Sequence, residues 1–105
     1  MNLPRILDIG TTIMYLRLAC RHNYSVKGDN LILEELRILI EHLMLENLGA
    51  DIIPVLLKWV KKLDEKYDEE DNITKEDARG LAENITQCRE RIRKELDSKT
   101  IYNIE

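Results

Sequence analysis

Between Asn30 and Gly49 the chain places eleven apolar residues in eighteen positions: Leu31, Ile32, Leu33, Leu36, Ile38, Leu39, Ile40, Leu43, Met44, Leu45 and Leu48. A helix lying on the surface of a small domain needs an apolar stripe of only about three positions in seven. This segment is apolar around most of its circumference, so as a helix it must bury more than one side. Either it runs through the middle of the domain, or its second face meets another chain. Asn30 is a good N-cap residue, and Gly49 is suited to a left-handed terminator.

The remaining pattern is helical as well. A first helix is predicted over about 3–22, with Pro4 in its first turn, where the missing N–H costs nothing. Ile6, Ile9, Ile13, Leu16 and Cys20 recur at spacings of three and four and form one buried stripe, flanked by Met14. Gly10 interrupts that helix at about 1 kcal/mol relative to Ala, which suggests a close approach by another helix. A third helix is predicted over 52–67, capped by Asp51, with Ile53, Leu56, Leu57, Val60 and Leu63 inward and Lys58, Lys61, Lys62 and Lys66 wet. Trp59 is expected to be partly buried, and the acidic stretch from Asp64 to Asn72 reads as a solvated linker. Thr74 and Asp77 come close to a capping box for a fourth helix over 75–97. Ala78, Leu81, Ile85, Cys88 and Ile92 then alternate by three and four, as in a coiled-coil seam. Residues 98–105 contain Thr100, Ile101, Tyr102 and Ile104 and are predicted to be an extended tail.

Four helical segments with short connections predict one all-α domain over 1–105: a small up-and-down bundle of four helices with helix two central. At 105 residues the chain supports one core. It has no Phe, one Trp and four Tyr, so the core is aliphatic. A net charge of −4 argues against generic nucleic-acid binding, which needs many Lys and Arg contacts to phosphates. Cys20 and Cys88 lie far apart, outside any CxxC spacing, and read as buried thiols of a cytoplasmic protein. No run of about 18 apolar residues lacks charges, so no membrane span is predicted.

Three constellations bear on chemistry. Arg37-Ile-Leu-Ile-Glu-His42 resembles the Arg-x4-His motif of the HEPN ribonucleases, helical bundles that pair as dimers. The resemblance implies that Arg37 and His42 would position a phosphate and its 2′-hydroxyl in a cleft between two chains. This sequence departs from that motif at Ile38, where the family carries Asn, Asp or His, and a five-residue step sets Arg37 and His42 roughly 140° apart around a helix. Secondly, Glu34 and Glu35 followed by Asp51 look like the outline of the MazG-type nucleotide pyrophosphatases, which hold Mg²⁺ between acidic pairs on two helices. Here Glu34, Glu35 and Asp51 would be the only ligands carried over, since Leu48 stands where the second helix of that family has Glu. Thirdly, Arg89, Arg91, Arg93 and Lys94 make a basic run broken by Glu90 and Glu95, and read as a solvated face.

The strongest physical lead is the excess apolar surface of helix two. It points to a non-enzymatic interaction module, a homodimer with no cofactor, in contact through Leu33, Ile40 and Met44 with Trp59 nearby. The alternative is a catalytic bundle of one of the two kinds named above.

Overall fold

The computed structural model describes residues 3–22, 24–28 and 32–102, with backbone only for 3 and 99–102. It contains α1 (Leu3–Arg21), α2 (Ile32–Leu45), α3 (Ile53–Lys66) and α4 (Lys75–Tyr102). Asn30, expected to cap helix two, lies outside the described residues. Among the described residues the only β-type pairing is an isolated antiparallel bridge between Ser25 and Asn72. The all-α class is as the sequence predicts.

The helices pack in a ring: α1 against α2 and α4, α2 against α3, and α3 against α4. Helix α2 thus stands at a corner like the others, rather than at the centre. Most of its apolar width is used by its own chain, because Ile32, Leu33, Leu36, Leu39, Ile40 and Leu43 are all buried, while Met44 and Leu45 in its last turn are exposed. The inner faces of the other helices complete the core: Ile9, Ile13, Leu16 and Cys20 from α1, Leu56 and Leu63 from α3, and all five seam residues of α4. Leu57, expected on the inner face of α3, is half exposed instead.

Helix α2 stops earlier than expected because Asn47, not Gly49, turns its end. Asn47 adopts a left-handed φ of 53°, the Leu48 amide donates to the Leu43 carbonyl at 2.9 Å, and the Asn47 amide donates to that of Met44 at 3.3 Å. This is the Schellman pairing that satisfies the last carbonyls of a helix. Gly49 follows with φ 65° and turns the chain into α3, its carbonyl accepting the amides of Ile52 and Ile53. Those bonds occupy the donors that a cap side chain would take. Asp51 is therefore not the cap of α3: the N-cap is Ile52, with no side-chain cap bond, and the Asp51 carboxylate pairs with Arg91 of α4.

At the other end of the chain, helix continues past 97 to Tyr102 where an extended tail was expected. Thr, Ile and Tyr lower helix propensity by only about 0.5 kcal/mol each, whereas a helix already under way gains a backbone hydrogen bond per added residue. Residues 103–105 lie outside the described residues.

The acidic linker is more than a solvated connection. Its backbone is tied to the α1–α2 loop: the Val26 amide donates to the Asp71 carbonyl at 2.9 Å, and Ser25 Oγ donates to the Glu69 carbonyl at 2.8 Å. Val26 and Ile73 are buried beneath this double loop. Gly28 is required there, since a Cβ would lie 2.8 Å from Ser25 Oγ and 3.1 Å from the Glu69 carbonyl oxygen.

The junction of α3 and α4 is held by an ionic staple. Asp77 is 4 % exposed, accepts a 2.5 Å hydrogen bond from the Tyr67 hydroxyl, and meets Lys66 Nζ at 2.7 Å and Lys62 Nζ at 3.1 Å. Burial pushes its carboxyl up, but hydrogen bonds from Lys66, Tyr67 and Lys62 outweigh that effect and bring it down to about 2. Thr74 Oγ1 accepts the Asp77 amide at 3.3 Å as the N-cap of α4, as predicted. The reciprocal half of the capping box is supplied by Tyr67, whose hydroxyl oxygen accepts the Thr74 amide at 3.2 Å.

Candidate functional site: the outer face of α1

Helix α1 carries apolar residues on two opposite sides. Ile9, Ile13, Leu16 and Cys20 enter the core, while Leu7, Met14 and Leu18 are 63 %, 60 % and 46 % exposed. Leu7, Thr11, Met14, Leu18 and Arg21 follow the four-three alternation of a coiled-coil seam, and at 100° per residue they share one outward face. Such a seam normally meets another helix. Among the described residues no helix of this chain covers it.

Gly10 flanks the seam, and an added Cβ there would meet nothing within 4 Å. Among the described residues the close approach expected at Gly10 is thus not made, and their packing gives no reason for glycine in the middle of α1. Replacing an exposed helical Gly by Ala typically stabilises by about 0.5–1 kcal/mol. We expect Gly10→Ala to raise stability by that amount in urea unfolding at sub-micromolar protein concentration; a loss of stability would mean that Gly10 is constrained from within the chain.

On one side the seam opens into a groove between α1 and α4. Gly10, Met14 and Leu18 line it, and Arg17, Arg21 and Arg89 rim it. Among the described residues none of these three arginines has an ion-pair partner, because the carboxylates that pair lie elsewhere: Glu46 with Arg5, Asp64 with Lys27 and Arg37, Asp77 with Lys62 and Lys66, and Asp51 with Arg91.

The residues singled out in the sequence are distributed differently. Leu33 and Ile40 are only 4 % and 5 % exposed, so their side chains belong to the core of their own chain and are not available as a contact surface. Met44 is 61 % exposed at the end of α2. Trp59 is half-buried between α3 and α4; its Nε1–H donates to Asn84 Oδ1 at 2.7 Å. Its ring lies against Gly80, where a Cβ would come within 3.1 Å, and Lys62 stacks over it at 4.9 Å. The tryptophan thus acts as a spacer inside the bundle.

Arg37 and His42 are not brought together. Arg37 is exposed and reaches Asp64 in the last turn of α3 at 4.0 Å, whereas His42 Nδ1 is buried without a hydrogen-bond partner among the described residues. Glu34 is exposed, and the neighbouring Glu35 carboxyl is pushed up by partial burial and by the charge of Glu34. The Asp51 carboxyl is held down chiefly by its hydrogen bond from Arg91. Glu34 and Glu35 stand in the first turn of α2 and Asp51 lies beyond its other end, with about 15 Å of helix between them at 1.5 Å per residue. Among the described residues no three His, Cys, Asp or Glu side chains converge in a group able to hold a metal ion. Burial pushes the thiols of Cys20 and Cys88 up to about 12, which leaves both protonated and unreactive at neutral pH.

Sequence reasoning missed the outer seam because Met14 read as a flank of the inner stripe. The signal was present as a second set of three- and four-residue spacings, Leu7, Thr11, Met14 and Leu18, interleaved with the first. Among the described residues no helix is long and apolar enough to cross a membrane. No protein-family model, curated protein or solved structure matches this chain.

Proposed function

We propose that this protein is an assembly module that forms a homodimer through the outer seam of α1. The observation that carries the reading is the pairing of an uncovered heptad-spaced seam with an open glycine beside it. A two-fold contact is the simplest way to cover one exposed face on every copy. It keeps the expectation of a second copy and moves the contact from α2 to α1.

The charges select the orientation. In a parallel pair of α1 helices, equivalent seam positions meet, and Arg21 would face Arg21 of the second copy. In an antiparallel pair, Leu7 lies opposite Leu18 of the other copy and Thr11 opposite Met14. Gly10 then gives room to Arg17 of the other copy, and Arg21 falls opposite Pro4. No like charges meet along that seam, so we favour the antiparallel arrangement.

The test is Leu18→Glu, a change at a side chain already 46 % exposed. Two copies of a carboxylate in the middle of an apolar seam are expected to weaken the dimer by about tenfold or more, with the thermal midpoint of the dilute protein within a few degrees of the parent. Light scattering after gel filtration reads the first effect and circular dichroism the second. A Leu18→Glu protein that keeps the parent's dimer mass would rule out this face.

A further inference from the structure

The groove beside the seam concentrates positive charge in a chain whose net charge is −4. Arg17, Arg21 and Arg89 come from two helices to one rim, with an apolar floor of Gly10, Met14 and Leu18, and among the described residues no carboxylate answers them. This arrangement differs from the lysines of α3, where Lys62 and Lys66 are already engaged by Asp77. It also differs from the groove around Asp51, where Arg91 is neutralised by that carboxylate and Glu90 lies alongside.

The two-fold pairing changes what this groove is. In an antiparallel pair of helices, positions on one flank of the seam stay on the same side as the equivalent flank of the other copy. Gly10 and Arg17 are on the flank that faces α4, so the grooves of both copies open on the same side of the seam. Arg21 is taken up in the seam, and Arg17 and Arg89 of each copy then bring four guanidinium groups to a single cleft. Four like charges brought together weaken association by Coulomb repulsion unless something neutralises them. Guanidinium is the side chain best matched to the paired oxygens of a phosphate.

Resting on the dimer reading, we infer that the paired grooves form a binding site for a compact polyphosphate anion that bridges the two copies and drives their association. The anion binds the dimer, which supplies both rims, more tightly than the single chain, which supplies one. By linkage it then strengthens dimerisation by the same factor. A polyphosphate chain carried on a nucleoside and one that is free share this chemistry.

The experiment is sedimentation equilibrium of the full chain with inorganic tripolyphosphate, with adenosine triphosphate, and with sodium chloride at matched ionic strength. Both phosphates are expected to lower the dimer dissociation constant about tenfold or more relative to chloride. Arg89→Gln, a change on α4 away from the seam, is expected to leave the dimer in place and abolish the response. A dimer whose dissociation constant is the same in all three salts would overturn the bridging site and leave the dimer reading intact. A chain that stays monomeric under every condition would overturn both, and one phosphate bound per monomer without association would overturn the bridge.

Discussion

Replacing Ile40 by Asp is expected to unfold the protein, and not to separate a dimer of folded chains. Ile40 is 5 % exposed and packs in the same core as Leu36, Leu39 and Leu43. An aspartate there loses the transfer free energy of the isoleucine side chain, about 2–3 kcal/mol. It also either buries a carboxylate without a partner or stays protonated at a further cost of several kcal/mol. The sum, about 5 kcal/mol, matches the lower end of the whole stability of a domain this size. Circular dichroism should show loss of the cooperative thermal transition at neutral pH. A folded Ile40→Asp protein at half the parent's mass would return the contact to α2 and contradict the placement of the interface on α1.

The second large effect is expected at Asp77. Its carboxyl is brought down to about 2 from an ordinary value of 3.8 by Lys66, Tyr67 and Lys62 acting against burial. A carboxylate whose folded value lies below its unfolded value contributes stability that is fully present above the unfolded value and is lost as the pH falls through the folded one. The window is therefore about pH 4 down to about pH 2. The contribution at neutral pH is about 2 kcal/mol, because one pKa unit corresponds to about 1.4 kcal/mol. Asp77→Asn removes the charge while keeping an acceptor for the Tyr67 hydroxyl. It should lower the thermal midpoint at pH 7 by roughly 8–16 °C, at 4–8 °C per kcal/mol for a chain of this length. At pH 2 the difference between parent and variant should largely vanish. A gap that persists unchanged to pH 2 would show that Asp77 acts through shape, and not through its charge.

Much of the fold was legible because helix period and capping are local. The seam of α4 from Ala78 to Ile92 and the Thr74 cap are written in consecutive spacings, and both are present as read. The staple around Asp77 was not legible, since Tyr67 lay in a stretch that looked solvated and its partners come from α3 and α4. The cap assigned to Asp51 failed for a related reason: Arg91, forty residues away, competes for the same carboxylate. The burial of Leu33 and Ile40 was not legible either. A count of apolar residues states how much side-chain surface α2 must bury, but it does not state which chain buries it. Here Leu33 and Ile40 are buried within their own chain, where α2 packs on α1 and α3, and a seam-spaced apolar face is left exposed on α1. The groove escaped notice because Arg89 belongs to a basic run that reads as solvated, and only the packing of α4 on α1 brings it to Arg17 and Arg21.

The central claim is that the exposed seam of α1 is covered by a second copy. Its most direct test is the solution mass of the unmodified protein by light scattering, over a concentration series from about 1 to 100 µM, a range that brackets the association expected of a modest helix-on-helix contact. The account expects the mass to rise with concentration from the 12.4 kDa of one chain toward twice that value and to stop there. A mass that stays at 12.4 kDa throughout would contradict it.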